Sequence, residues 1–364
     1  MPSIDLLPFR PPGAFIKGGA PRHFLLLAGI TVLAVGLSLL AITPRVIFWK
    51  DYSLLTFETG RRHDLVAQLE DPISWNRGPN ARRTENALSW RLLPPVIGHT
   101  LHLPPKVYLG LPWLGLFLLV GTSLHYLRQR GVSPLGLLAA GVLTGTSAAF
   151  FGSSTSLGYF DCLYLLALVV FCFSPSLVLT VASCLLGPWI DEKFLLMLPA
   201  CFFLRWSWQP SWRWVGGAAL AVLLYSGIRL SAVAAGDSTL ARQIAIQGPV
   251  FERYWRSLPV AWWYAFRLGW FFIGAGIWLV ARQLNRPARV LMLASLAAGM
   301  GAVSFLAWDT TRSIAMVFPF FLAGASAPRL QRALVWLAIL NPFLPAAYLI
   351  TPAAIKVPLT SCLK

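Results

Sequence analysis

Long apolar stretches without charged residues recur through the chain, and they are the feature that most restricts its fold. A helix of about 20 apolar residues can cross the hydrocarbon core of a bilayer, and several stretches approach that length. Only 12% of the 364 residues are charged, whereas soluble domains carry about 25%. Because lipid offers no hydrogen bonds, and because these stretches lack the alternation of strands, each should form a helix. The sequence therefore predicts an all-α, polytopic membrane helix bundle.

The order of apolar stretches and polar breaks predicts about eleven membrane segments. They are expected at residues 24–42, 107–127, 134–151, 159–173, 177–186, 194–204, 215–228, 262–281, 290–307, 313–327 and 333–350. The fifth and sixth segments are short for a membrane span. They are either tilted helices or half-helices that meet at residues 191–193.

Basic residues in the short loops predict the orientation of these segments. Arginines such as Arg128, Arg205 and Arg282 mark the cytoplasmic side, and every acid except Asp5 then falls on the outer side. The net charge of +17 is spread over loops that flank the membrane. This distribution favours membrane lipids, through their anionic headgroups or phosphates, as partners and argues against nucleic acid.

The orientation gives the expected organisation of the chain. Residues 1–22 form a basic cytoplasmic tail, 23–350 the transmembrane domain, and 351–364 an outer C-terminal tail. Within the domain, residues 43–106 and 229–261 form the first and second outer loops. The protein is then expected in the plasma (inner) membrane, with its N-terminus in the cytoplasm and its C-terminus outside.

The long first outer loop contains amphipathic patterns that predict interfacial helices. Leu65, Leu69 and Ile73 recur at four-residue spacing, and a second short helix at 84–93 is expected to stop at the prolines that follow it. The positive-inside rule explains basic residues in cytoplasmic loops, so it does not explain arginines on an outer loop. They either bind a phosphate through paired N–H groups or form local pairs with acids and headgroups. These arginines are Arg61, Arg62, Arg82, Arg83 and Arg91.

Acids at three further outer junctions are candidates for a shared site. Asp191, Glu192 and Lys193 interrupt an apolar run, where they either mark the water boundary or line a site. Asp161 begins the fourth segment, where stabilisation of the helix N-terminus is a sufficient structural reason for it. Asp309 and Arg312 are spaced to form a local salt bridge on one helix face.

Other polar residues give weaker signals. His99 and His102 are three residues apart, but no third ligand accompanies them, so interfacial packing is favoured over a metal site. The cysteines have no metal-ligand spacing, and four of them read as small core residues. Arg267 lies in an aromatic run and is expected to extend toward the interface.

Taken in order, these features resemble the GT-C class of polytopic glycosyltransferases. The elements that carry the resemblance are a single first helix, an outer loop with the early acid Asp51, a Gly-Tyr-x-Asp sequence ending at Asp161, acids at the outer end of a short helix pair, and a late Asp-x-x-Arg. The layout covers most of residues 24–330. The class includes polyprenyl-phosphate mannosyltransferases and bacterial lipid A sugar transferases.

The resemblance implies roles for particular residues. Asp51 is the expected catalytic base, and a sugar on a polyprenyl phosphate is the expected donor. Lys193 and the loop arginines are expected at the lipid phosphate, while Asp161, Glu192 and Asp309 shape the sugar or acceptor site. The site is expected to form a deep cavity. Some members use a divalent metal and others do not, so the cofactor is left open. The competing interpretations are a lipid or solute transporter and a non-catalytic membrane protein.

Overall fold

The computed structural model describes residues 20–42, 59–72, 91–154, 159–234, 255–306, 310–344, 346–350 and 353–357. The described residues are almost entirely helical. The helices are α1 (Ala20–Ile42), α2 (Thr59–Glu70), α3 (Leu93–Thr100), α4 (Pro105–Gln129), α5 (Pro134–Gly145), α6 (Ala148–Ser154), α7 (Asp161–Phe173), α8 (Leu177–Ile190), α9 (Lys193–Trp206), α10 (Trp212–Ala234), α11 (Leu258–Phe266), α12 (Trp270–Gln283), α13 (Arg286–Leu306), α14 (Thr310–Ser313), α15 (Phe318–Ala325) and α16 (Gln331–Leu340). Two short strands, β1 (Ala346–Ile350) and β2 (Ala353–Val357), pair antiparallel.

The apolar helices give the architecture of a multi-pass membrane protein. Among the described residues, 5 helices are long and apolar enough to cross a membrane, or up to 7 if each of two bent pairs counts as one span. The bent pairs are α5 with α6, at 55°, and the 310–325 segment with the 328–343 segment, at 96°. This criterion does not reach the predicted number of about eleven, because α7, α8 and α9 have only 13, 14 and 14 residues and the last two predicted segments form one bent pair.

Helices α7, α8 and α9 run antiparallel between two ends of the bundle. At one end, Arg205 near the end of α9 donates to the carbonyl oxygens of Phe171 and Ser174, at 2.5 and 2.9 Å. At the other end, the chain turns at Asp191 and Glu192 between α8 and α9. Helices α8 and α9 are therefore two separate antiparallel helices, and they are not two halves of one span. Each rises roughly 21 Å, less than the ~30 Å of a hydrocarbon core.

Among the described residues, carboxylates lie at only one of the two ends of these three helices. The end that holds Arg205 also holds Arg130, whose guanidinium lies 5.3 Å from the centre of the Phe173 ring. The opposite end holds Asp161, Asp191 and Glu192. We call these the basic end and the acidic end. The shared position of these acids agrees with the prediction that they lie on one side of the bundle.

Small residues allow the closest helix packing. A Cβ atom on Gly276 of α12 would clash with the Phe320 carbonyl oxygen of α15, and one on Gly324 of α15 would clash with the Phe272 carbonyl oxygen of α12. Close approach of backbones through small residues is the usual means of packing helices in a membrane, where apolar surface alone gives no preference for protein over lipid.

Several predicted boundaries are wrong. Most of the predicted helix at 84–93 lies outside the described residues, but Pro94 and Pro95 belong to the first turn of α3, where proline fits because backbone N–H groups need no partner in the helix. The last segment ends as an α-helix at Leu340, and residues 346–350 form a strand. The second loop is shorter than predicted, because α10 continues to Ala234 and α11 begins at Leu258.

Arg267 does not extend toward the interface, contrary to the prediction. It is 1% exposed and donates to the carbonyl oxygens of Thr146, Asn341 and Leu344. Its backbone has φ 49, where α11 gives way to a short 3-10 turn before α12. Breaks in two segments, at Thr146 and at Asn341–Leu344, expose these carbonyl groups, and the guanidinium satisfies them in place of solvent. The sequence gives no sign of this, because the three carbonyls belong to distant segments.

Candidate functional site

Three helix ends bring Asp161, Asp191 and Lys193 together at the acidic end. Asp161 is the first residue of α7, Asp191 follows α8, and Lys193 is the first residue of α9. The Lys193 Nζ atom lies 2.5 Å from Asp161 Oδ1 and 3.4 Å from Asp191 Oδ2. The side chains of the two aspartates are only 2% and 4% exposed. The lysine therefore bridges two buried carboxylates from different parts of the chain.

Two arginines complete this group. Arg91, just before α3, has Nη2 2.9 Å from Asp191 Oδ2. Arg312, in α14, has Nε 3.4 Å from Asp161 Oδ2, and its guanidinium carbon lies 3.7 Å from the centre of the Tyr159 ring. We call Arg91, Asp161, Asp191, Lys193 and Arg312 the ionic cluster. Each buried carboxylate thus faces two cations, which offsets much of the cost of removing it from water.

The local sequence explains why the chain turns at this point. Asp191 has φ −161 and ψ 133, an extended conformation that ends α8. Its Oδ1 atom accepts the Lys193 backbone N–H at 2.9 Å, so one carboxylate both caps α9 and binds cations. Gly187 leaves room for the Phe194 ring, since a Cβ there would lie 2.5 Å from it. Asp161 in the first turn of α7 is also favoured by the helix dipole, as predicted.

Glu192 points to the other side of the turn, toward α10. Its Oε1 atom lies 3.3 Å from Nη2 of Arg229, and its side chain is 35% exposed. Burial raises the pKa of the Glu192 carboxyl group, and the charge of Arg91 opposes this shift only in part. For Arg91, burial lowers the pKa, but the nearby acids outweigh it and the net pKa is raised. The cluster thus keeps Arg91 charged, while Glu192 holds its proton more readily than an exposed glutamate.

The first-loop helices lie over the ionic cluster. A small cavity of about 10 Å³ separates them from it, which is room for about one water molecule. The cavity is lined by Leu65, Gln68, Arg91, Tyr108, Phe160, Ile190 and Asp191. In the segments that the structure describes, Asp161 and Asp191 are therefore covered, and the predicted deep cavity is not open at this position.

Of the two histidines, only His99 contacts another described element of this cover. His99 Nδ1 lies 3.0 Å from the Leu69 carbonyl oxygen, which joins α3 to the end of α2. His102 Nδ1 lies 3.1 Å from the Thr100 carbonyl oxygen. Within the described ranges, no three His, Cys, Asp or Glu residues form a group that could hold a metal ion.

The acidic site lies below the tips of the long helices. Arg229, which reaches Glu192, is followed by five more residues of α10, so the helix extends roughly 8 Å beyond the site. Helix α4 begins three residues before Tyr108, whose ring centre is 5.3 Å from that of Phe160 beside Asp161. Charged groups at this depth require a protein or water environment, because hydrocarbon would not tolerate them.

The structure brings together only part of the predicted site. Asp161, Asp191, Lys193, Arg312 and Arg91 meet in one cluster, and Glu192 lies beside it. The remaining predicted residues are not placed in it: Asp51, Arg82, Arg83 and Asp309 lie outside the described residues, as do the side chains of Arg61 and Arg62 in α2.

Sequence reasoning missed the residues on the Glu192 side. Arg229 was assigned to an outer loop, whereas it lies inside α10 and faces an acid 37 residues earlier. The sequence also gives no role to Tyr225, an ordinary member of the 215–228 segment, whose ring centre lies 4.8 Å from that of Trp189. No local spacing could have found this group, because it depends on how α8 packs against α10.

Comparison of the chain with family models, with curated proteins and with solved structures gives no match.

Proposed function

We propose that this protein is a membrane glycosyltransferase that moves a sugar from a polyprenyl-phosphate donor to a hydroxyl acceptor, in the manner of the GT-C class. The observation that supports the proposal is the ionic cluster. It gathers carboxylates and cations from four separate chain segments at one recessed end of an apolar bundle. A site that handles a lipid-linked phosphate needs cations at membrane depth and a carboxylate near the acceptor.

The proposed reaction is a single displacement at the anomeric carbon. The acceptor oxygen forms a bond to this carbon as the bond to the phosphate oxygen breaks, and the electron pair leaves with the phosphate. The acceptor's proton passes to a carboxylate, which the resemblance assigns to Asp51. Charge develops on the departing phosphate, and preorganised cations such as Arg91 and Lys193 stabilise it electrostatically.

The cover over the cluster has a consequence within this proposal. A cavity of about 10 Å³ cannot hold a sugar, so α2 and the Arg91 segment move aside when the donor binds. Arg91 and Lys193 would then bind the phosphate. These new contacts would replace the ones that the two cations lose with Asp161 and Asp191. The outer face of the plasma (inner) membrane, with the N-terminus in the cytoplasm, is the proposed place of reaction.

Transfer in defined liposomes tests the proposal. Purified protein is reconstituted with polyprenyl-phosphate hexoses and pentoses carrying a labelled sugar, together with lipid acceptors, and the label in the acceptor is counted. The wild type should transfer label, Asp51→Asn should transfer none, and the exposed-surface control Glu70→Gln should match the wild type. Full transfer by Asp51→Asn would remove its assigned role, and no transfer from any donor would remove the proposed function.

A second candidate is a lipid or solute transporter. It is favoured by the bends between α5 and α6 and after α15, since broken helices often form transport sites. The buried guanidinium of Arg267 lies at such a break. Movement of a labelled lipid or solute across the liposome membrane, without chemical change of the sugar donor, would favour this candidate over the first.

A further inference from the structure

The turn between α8 and α9 presents charged side chains on two sides. Lys193 is directed to α7, where it meets Asp161, and Asp191 contacts Lys193 and Arg91. Glu192, between them, is directed to α10, where it meets Arg229. The extended backbone of Asp191 separates the side chains in this way. An enzyme that joins two substrates needs two neighbouring sites. This turn lies between two groups of charged side chains, one on each side of it.

The carboxylates on the two sides of the turn differ in side-chain exposure. The side chains of Asp161 and Asp191 are 2% and 4% exposed and are engaged with cations. The Glu192 side chain is 35% exposed and its Arg229 partner 17%. A ligand can therefore contact Glu192 without breaking the ionic cluster.

The two sides also differ in charge. Three cations surround two carboxylates in the ionic cluster, a composition that suits a phosphate. Glu192 and Arg229 carry opposite charges, so this pair suits a neutral ligand that both donates and accepts hydrogen bonds. Hydroxyl groups do both, since a carboxylate accepts from them and a guanidinium donates to them.

An aromatic wall adjoins the Glu192 pair. Trp189 lies in the last turn of α8, three residues before Glu192 in the sequence, and is partly exposed. The buried Tyr225 ring holds it in an edge-on contact at 4.8 Å. Binding sites for small ligands combine an aromatic surface with a few placed polar groups. The C–H face of a sugar ring is the type of surface that packs on an indole, while its hydroxyl groups reach the charged pair.

We infer that Trp189, Glu192 and Arg229 form a subsite for the hydroxyl-bearing acceptor, on the opposite side of the α8–α9 turn from the ionic cluster. The identification of the ligand as the acceptor rests on the proposed function. The subsite itself is defined by its affinity for a neutral sugar. The lipid phosphate then binds on the cluster side, and the two substrates meet above Asp191 and Glu192.

Fluorine NMR on protein containing fluorotryptophan in lipid nanodiscs tests the inference. The probes are octyl glucoside and octyl phosphate, which share an alkyl chain and differ in the headgroup. Trp189→Phe assigns the Trp189 resonance, and Trp278, an exposed tryptophan on α12, reports adsorption to the protein surface. Octyl glucoside should shift the Trp189 resonance saturably and leave that of Trp278 unchanged, and octyl phosphate should shift neither.

Variants connect the shift to the charged pair. Glu192→Gln should weaken octyl glucoside binding about tenfold, since a hydrogen bond to a charged group is lost, while Glu70→Gln should bind like the wild type. Arg229→Lys, which keeps the charge but loses the fork of donors, is the second variant if Glu192→Gln does not elute as folded protein.

Two outcomes would overturn the inference. One is an equal shift of Trp189 and Trp278, and the other is wild-type affinity in the pair variants. Glucoside binding at Trp189 without sugar transfer from any polyprenyl-phosphate donor would instead remove the proposed function and leave a sugar-binding subsite.

Discussion

At the scale of single residues, Lys193 connects two buried carboxylates from different parts of the chain. Its ammonium group bridges Asp161 and Asp191, which join α7 to the turn between α8 and α9. A buried carboxylate that loses its cation keeps the cost of leaving water and receives little in return. The lysine is therefore expected to contribute to stability as well as to any chemistry.

A double-mutant cycle tests this coupling. Lys193→Met should destabilise the protein by about 3–5 kcal/mol, because it leaves two carboxylates without one of their cations. Adding Asp161→Asn should recover part of that loss, since one of the stranded charges is then removed. Thermal unfolding in detergent, followed by circular dichroism, gives the four stabilities. Strict additivity of the two substitutions would show that the side chains do not interact.

Glu192 gives a pH dependence of defined sign. Its pKa in the folded protein is raised because burial disfavours the charged form. The folded state therefore binds the proton more tightly than the unfolded state does. Relative to Glu192→Gln, the wild type should lose stability as pH rises from about 4.3, the ordinary glutamate pKa, to the raised folded value.

Unfolding midpoints of the wild type and Glu192→Gln across this range measure the effect, and Glu70→Gln serves as the control at an exposed site. The infrared band of a protonated carboxyl group should persist above the ordinary pKa in the wild type and vanish in Glu192→Gln. A constant difference in midpoint at all pH values would contradict the raised pKa.

At the scale of elements, the short helices α7, α8 and α9 position the site. Each is about one and a half to two turns shorter than a helix that spans ~30 Å of hydrocarbon. Because α4 and α10 continue beyond them, the acidic end is recessed. Helices α2 and α3 then cover the recess, with Gln68 and Arg91 lining the remaining space.

Glycines allow α12 and α15 to pack closely, and a pair of glycine variants tests this packing. Gly276→Ala places a Cβ against the Phe320 carbonyl oxygen, so the helices must separate, with an expected loss of roughly 1–3 kcal/mol. Gly274→Ala, on the same helix, meets nothing within 4 Å and should be neutral or slightly stabilising. Thermal unfolding of both variants is the measurement, and equal midpoints would contradict the close approach.

Much of the helical content could be predicted from the sequence, since hydrophobic length alone locates most of the apolar helices. The bend between α5 and α6 could not, because Thr146 and Ser147 look like ordinary small residues of an apolar helix. Arg267 was misplaced for the same kind of reason. Its partners are carbonyl groups of remote segments, and side-chain patterns carry no information about them.

At the scale of the whole molecule, the carboxylates of the site gather at a single end of the bundle, where cations pair with them. Arg130 and Arg205 lie at one end, and Asp161, Asp191 and Glu192 lie at the other. The loop charges predicted that the acids would share one side. They could not predict which cation faces which acid, because Arg91 and Asp191 are 100 positions apart in the sequence.

The central claim is that the acidic end receives the phosphate of a lipid carrier through the cations of the ionic cluster. An electron cryomicroscopy structure of the protein in lipid nanodiscs with undecaprenyl monophosphate tests it most directly. The account predicts phosphate density beside Arg91 and Lys193, with α2 displaced from Asp191 and Glu192 left accessible. A lipid phosphate bound only at the basic end, with the ionic cluster closed and unchanged, would contradict it.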